Sequence, residues 1–133
     1  MKIITILCLV LLSVHSYSQE VATGPFLIRG DIYYHQDTNE PVTGIVEEFH
    51  KNGRLRDRGN YKDGKRDGPF EGFYEDGQLF VRGNYKDGEL DGLVEEFYEN
   101  GQVFIKRNYK NGKLDGPWEM FHKNGWLKMR GNN

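Results

Sequence analysis

A glutamate recurs every 24 residues through most of this chain. Carboxylates can supply the general acid and base of glycoside hydrolysis, and the four stand at Glu47, Glu71, Glu95 and Glu119. Catalytic residues normally occur once in a fold, whereas these recur in every copy of a repeated segment. A cation recurs in step with them, at Arg58, Arg82, Lys106 and Arg130. The pattern therefore favours structural ion pairs over catalysis.

Nucleophiles and metal ligands are scarce. After Gln19 the sequence contains neither serine nor cysteine, which excludes a Ser- or Cys-based triad from that part of the chain. His50 and His122 occupy a position that the intervening copies fill with Tyr74 and Tyr98, which indicates a structural ring rather than a zinc ligand. The turn aspartates suit left-handed backbone. We therefore expect a non-enzymatic protein with no catalytic residue, cofactor or metal site.

These residues belong to a segment that is written three times and begun a fourth time. The copies occupy residues 44–67, 68–91, 92–115 and 116–133, without insertion or deletion. A fixed short period is typical of a repeat array in which each unit packs on its neighbours.

Each copy carries two turn signals, Asn-Gly or Asp-Gly, as at Asn52-Gly53 and Asp63-Gly64. Such dipeptides between runs rich in Phe, Tyr, Val and Leu are strong hairpin signals. The sequence thus predicts an all-β fold, an antiparallel β-meander of about four consecutive hairpin units in one elongated or curled sheet.

The register follows by counting outward from the turns. Two-residue loops place Tyr74 opposite Leu79 and Tyr98 opposite Val103. They also give each copy one cross-strand ion pair: Glu47–Arg58, Glu71–Arg82, Glu95–Lys106 and Glu119–Arg130. A three-residue loop with a bulge would set Phe73 against Leu79 instead. The two-residue loop is preferred because it accounts for the charges.

Strand alternation divides the side chains between two faces. One face is predicted to carry Val46, Phe70, Val94, Trp118, Leu55, Leu79, Val103, Leu127, Val81, Ile105, Met129, Tyr61, Tyr85 and Tyr109. The other is predicted to carry the ion pairs with Phe49, Phe73, Phe97 and Phe121. So small a sheet cannot enclose an interior, and open apolar surface marks binding sites. The predicted partner-binding residues are Phe73, Tyr74, Phe80, Tyr85, Phe97, Tyr98, Phe104 and Tyr109.

The segments before the array differ from it. Residues 1–18 have a single charge, a short apolar run and a small-x-small site, the pattern of a secretory signal peptide cleaved between Ser18 and Gln19. Residues 19–43 are predicted to form a capping segment with a degenerate hairpin, whose longer loop runs from Asp37 to Pro41. The balance of 18 basic against 20 acidic residues disfavours nucleic acid as a partner.

The spacing of the turn residues resembles that of the MORN-repeat variant family of bacteria. The resemblance is carried by Tyr74-Glu75-Asp76-Gly77-Gln78-Leu79 and Tyr85-Lys86-Asp87-Gly88-Glu89-Leu90, with their equivalents one repeat away. It covers Gly44 to Asn133 and, loosely, Tyr33 to Thr43. It implies a stack of β-hairpins, and because some members are antitoxin partners of polymorphic toxins, it implies a protein-binding role.

The sequence therefore predicts an exported scaffold, periplasmic or extracellular, that binds a protein partner through an aromatic sheet face. An antitoxin- or immunity-like role is a special case of this hypothesis. The alternative is a module that binds envelope glycan or lipid head groups through the same aromatics and the recurrent cations.

Overall fold

The computed structural model describes residues 20–133, and the predicted signal peptide lies outside them. Within these residues the regular elements are all β-strands. They are β1 (Val21–Thr23), β2 (Phe26–Arg29), β3 (Ile32–His35), β4 (Gly44–Phe49), β5 (Leu55–Lys62), β6 (Lys65–Phe73), β7 (Leu79–Lys86), β8 (Glu89–Leu90), β9 (Gly92–Phe97), β10 (Val103–Lys110), β11 (Lys113–Phe121) and β12 (Leu127–Asn132). No helix in this range could cross a membrane.

One large open sheet contains most of the strands. Its order is β1-β4-β5-β6-β7-β9-β10-β11-β12, with β8 paired to β7, while β2 and β3 form a separate two-stranded sheet. β1 pairs with β4 in parallel, and the later neighbours are antiparallel. The predicted all-β meander of consecutive hairpin units is confirmed.

The second turn of each copy is a two-residue loop. Asp63 and Gly64 both have positive φ, at 51° and 81°, and Lys62 pairs with Lys65 across them. Asp87-Gly88 and Asn111-Gly112 repeat this geometry. Positive φ at both central residues is what a tight hairpin turn requires, and Asx-Gly supplies it at low cost.

The first turn of each copy differs, and the prediction of a two-residue loop there was wrong. Only the glycine has positive φ, as at Gly77. The Tyr74 amide donates to the Gln78 carbonyl at 2.8 Å, so three residues form the loop and Phe73, not Tyr74, pairs with Leu79. In the next copy Phe97, not Tyr98, pairs with Val103.

A bulge one residue beyond this pair restores the charge register. After Phe73 and Leu79 the pairing shifts, so that Gly72 faces Val81 and Glu71 faces Arg82. The extra residue in the bulged strand is Phe80. The other copies align their ion-pair residues in the same way, as Glu47–Arg58, Glu95–Lys106 and Glu119–Arg130.

Directly paired residues share a face of the sheet, so the register assigns the two faces. The apolar face carries Val46, Phe70, Val94 and Trp118, and the charged face carries the recurrent Glu, Arg and Lys. Leu55, Leu79, Val103 and Leu127 pair with Phe49, Phe73, Phe97 and Phe121. These four aliphatic residues therefore lie on the charged face, and their predicted placement on the apolar face was wrong because the bulge reverses the alternation.

The N-terminal segment packs on the apolar face of the first copy. Val42, Val46 and Tyr61 form a buried cluster, against which Phe26 and Tyr33 pack. The Tyr33 amide donates to the Gly64 carbonyl at 2.9 Å, which fixes the β2–β3 hairpin on the β5–β6 turn. The hairpin thus covers apolar surface at this end of the array.

Within that segment the hairpin turn lies earlier than the predicted one. β2 pairs with β3 around Gly30, whereas the turn predicted between Asp37 and Pro41 closes only an isolated bridge from Tyr34 to Pro41.

Candidate functional site

A row of alternating charges crosses the charged face. The second hairpin of each copy pairs Arg58 with Glu71, Arg82 with Glu95 and Lys106 with Glu119. The first hairpins supply the pairs between, so the row runs Glu47, Arg58, Glu71, Arg82, Glu95, Lys106, Glu119, Arg130. The sequence analysis counted from the first turn only and found four of these seven neighbouring pairs. Counting from the second turn, with its strand irregularity, would have been needed for the rest.

The side chains do not use all of these neighbours equally. Arg58 bonds Glu47 at 2.6 Å, and Arg82 bonds Glu95 at 2.7 Å, with Lys106 at 3.8 Å from the same carboxylate. Within residues 20–133, Glu71 has no such partner within 4.0 Å, although an arginine faces it on each side. Exposed ion pairs contribute about 0.2–1 kcal/mol each. Glu95 is buried, and removing a cation from a buried carboxylate costs more than that, so the pairs of Glu95 matter most for stability in this row.

The apolar face is built from rings packed around an arginine. Phe70 and Tyr85 have ring centroids 4.9 Å apart. The Arg66 guanidinium lies 5.3 Å from the Tyr85 centroid and 5.6 Å from that of Tyr61, within cation–π range. Burial raises the pKa of Tyr61 far above its usual range, and the charge of Arg66 opposes that rise. The neutral phenol is therefore the stable form of Tyr61 in the folded protein.

Hydrogen bonds join the first turns of successive copies, which lie along the same ends of the strands. The Nε2 of His50 donates to the Phe73 carbonyl at 2.8 Å, and the Tyr74 hydroxyl donates to the Phe97 carbonyl at 2.7 Å. Tyr98 repeats this contact one copy later. His50 and the tyrosines therefore share one structural role, which is to bridge neighbouring repeats.

The eight predicted partner-binding aromatics do not form one surface. Phe73 and Phe97 lie on the charged face, where Phe97 is buried and the Arg82 guanidinium packs 5.4 Å from its ring centroid. The other six lie on the apolar face: Tyr74, Phe80, Tyr85, Tyr98, Phe104 and Tyr109. Within that group Tyr74 packs on Phe80, and Tyr98 packs on Phe104, each at 5.1 Å between centroids.

Other exposed apolar side chains lie near the C-terminal end of the array. Met129, which pairs with Met120 on the apolar face, is 52% exposed, and Trp126, in the first turn of the last copy, is 75% exposed. Phe80, from the predicted set, is 41% exposed. Sequence reasoning missed Trp126, although a tryptophan stands there where the earlier copies have Arg54, Gln78 and Gln102. That contrast between an apolar residue and its polar equivalents was the available signal.

The charged face also contains a cavity of about 370 Å³ between the first three copies. Its lining includes Arg58, Glu71, Arg82 and Glu95 from the charge row. The neighbouring row contributes Asn60, Pro69, Asn84 and Leu93. No prediction pointed here, because the cavity depends on how side chains from separate copies lie beside one another. Among residues 20–133, no cluster of three or more His, Cys, Asp or Glu has the arrangement of a metal site.

The repeats match a known family model. The model described as MORN repeat variant matches residues 42–63, 66–87, 90–111 and 114–132, which together make up more than half of the chain. No curated protein matches the chain.

Proposed function

This chain belongs to the MORN repeat variant family, and we propose that it is an exported, non-enzymatic scaffold that binds a protein partner through the aromatic side chains of its apolar face. The leader pattern of residues 1–18 supports export. The lack of serine and cysteine after Gln19 supports a role without nucleophilic catalysis by those residues.

The observation that carries the proposal is the uneven cover of the apolar face. The β2–β3 hairpin packs on the first copy, where Val42, Val46 and Tyr61 are buried. Farther along the array Phe80 and Met129 remain exposed on this face. Exposed apolar surface of this kind marks interaction sites, and aromatic residues dominate interface hot spots. An immunity-like role against a toxin would use the same surface.

Affinity capture tests this proposal with a matched pair of variants. The tagged chain serves as bait in a native envelope extract, and bound protein is identified by mass spectrometry. Phe80 and Phe49 are both phenylalanines, 41% and 50% exposed, on the apolar and charged faces respectively. We expect one protein in near-equal molar amount, reduced several-fold by Phe80→Ala and retained by Phe49→Ala. Equal recovery of the partner by the wild type and by Phe80→Ala would reject the proposal, as would the recovery of no specific protein.

The second candidate function is binding of envelope glycan or lipid head groups at the charged face. It is favoured by the exposure of Arg58 and Arg82, whose side chains are 47% and 54% accessible beside the amides of Asn60 and Asn84. Salt separates the two candidates, because binding led by exposed charges weakens steeply as ionic strength rises. Sedimentation with anionic liposomes or envelope glycan at low and high salt is the direct measurement.

A further inference from the structure

The cavity on the charged face is bounded by two rows of side chains. The charge row contributes two arginines and two glutamates, and the second row contributes Asn60, Pro69, Asn84 and Leu93. Its volume of about 370 Å³ lies in the range of sites that take small molecules or single side chains. The cavity lies on the face opposite the proposed aromatic surface, so it would act as a separate site.

The two arginines and two glutamates that line this cavity are not all paired with one another. The guanidinium of Arg58 is bonded to Glu47, and that of Arg82 is bonded to Glu95. Glu71 stands between the two arginines in the register but makes no ion pair within 4.0 Å in the described part of the chain. Arg82 shares Glu95 with Lys106, which lies 3.8 Å from that carboxylate. Within the lining, Glu71 is therefore the carboxylate that bonds no cation and can accept from a ligand. That ligand should be a cation.

The rest of the wall suits an aliphatic stem. Leu93 is 45% exposed and stands where the neighbouring copies have Pro69 and Pro117. Pro69 lines the same cavity from two strands away, across β7, and the side-chain amide of Asn60 donates to the Pro69 carbonyl at 2.9 Å. Asn84 adds a side-chain oxygen that can accept a hydrogen bond from an ammonium.

We propose that this cavity binds the side chain of a lysine from a protein ligand. The ammonium would lie beside the carboxylate of Glu71, and the four-carbon stem would pack on Pro69 and Leu93. A lysine fits better than an arginine, because a compact point charge can enter between Arg58 and Arg82, whereas a third planar guanidinium would crowd two others. This inference does not depend on the aromatic face, so either proposal can fail alone.

Nuclear magnetic resonance titration of the full-length ¹⁵N-labelled chain tests the proposal without a known partner. The probe is Nα-acetyl-lysine methylamide, compared with the norleucine analogue, which has the stem without the ammonium, and with n-butylammonium, which has the ammonium without the peptide. We expect saturable shifts at the amides of Gly83, Asn84 and Leu93 with the lysine probe. The other two probes should bind about tenfold more weakly, a difference of about 1.4 kcal/mol.

Variants of equivalent residues supply the control. Glu71→Gln should weaken the lysine probe about tenfold and leave norleucine unchanged, while Leu93→Ala should weaken both. Glu119 occupies the same repeat position, within residues 20–133 it also has no ion pair within 4.0 Å, and it lies outside the cavity lining, so Glu119→Gln should bind as the wild type does.

Three results would overturn the lysine site. They are equal binding of norleucine, wild-type affinity in Glu71→Gln, and no saturable shift at these amides up to about 50 mM probe, a concentration far above the millimolar range of weak sites. If n-butylammonium bound as tightly as the capped lysine, the inference that the ligand comes from a protein would also be overturned.

Discussion

Gly83 lies beneath the ring of Phe70, and replacing it with alanine should destabilise the fold. A Cβ at this position would stand 2.8 Å from Cε1 of Phe70 and 2.9 Å from Cγ2 of Val94. The ring of Phe70 has little room to retreat, because the Tyr85 ring packs against it with 4.9 Å between centroids and Val94 is buried. Overpacking of a fitted core costs about 1–3 kcal/mol.

Gly59 is the matched control. It pairs with Phe70 from the other side, as Gly83 does, and neither glycine has positive φ. The Cβ of an alanine at Gly59 would meet Cε2 of Tyr61 at 3.5 Å, an ordinary contact. Gly59→Ala should therefore be neutral or stabilise the fold by about 0.4–1 kcal/mol, since alanine restricts the unfolded chain.

Urea unfolding of the full-length chain, followed by circular dichroism, measures the difference. With a slope of about 2 kcal/mol per molar urea, a gap of about 2–3 kcal/mol between the variants separates their midpoints by roughly 1–1.5 M. Equal midpoints for the two variants would refute the packing argument, as would a lower midpoint for Gly59→Ala than for Gly83→Ala.

Two further predictions concern tyrosines. Tyr74→Phe keeps the ring but removes the 2.7 Å hydrogen bond to the Phe97 carbonyl, so it should lower the free energy of unfolding by about 0.5–1.5 kcal/mol. The control is Tyr109→Phe, because the Tyr109 hydroxyl makes no side-chain hydrogen bond within residues 20–133, and it should change the free energy of unfolding less. Equal losses in the two variants would argue against the inter-repeat bond. For Tyr61, burial raises the pKa in the folded state, so the folded protein holds its proton where the unfolded chain releases it. Stability from this group is complete below about pH 10 and should fall above it by up to about 1.4 kcal/mol per pH unit. Urea midpoints at about pH 9 and about pH 11 should converge in Tyr61→Phe, and an equal loss in both proteins would contradict this assignment.

The fold was predictable because its signals are local. Asp63-Gly64 takes positive φ at both residues, as the dipeptide itself favours. The same type of dipeptide at Asp76-Gly77 forms a three-residue loop instead, and a bulge at Phe80 then compensates by one residue. The longer loop and the bulge shift the register by one residue in opposite directions, so the charge pairs stay aligned. The glutamate pattern therefore could not reveal the loop length. The assumed two-residue loop placed the leucines on the wrong face, because the residues between the loop and the bulge are the ones whose face it changes.

The candidate site was less predictable. Phe97 was expected to meet a partner, but Arg82 covers its ring and it is buried. Tyr74 was expected there as well, and its hydroxyl is committed to the next repeat. Strand alternation assigns a side chain to a face, but it does not say whether a side chain from a neighbouring strand already covers it there.

The sequence by itself determined that this protein is an array of β-hairpins with a glutamate and a cation in register in every copy. Turn chemistry and the two-residue period of a strand act over a few residues, so both can be predicted from the sequence. Only the tertiary structure decided that Arg58 and Arg82 bond away from Glu71 and that the β2–β3 hairpin covers one end of the apolar face. Each arginine had a carboxylate on either side, and the choice between equal neighbours depends on packing between copies that lie more than twenty residues apart.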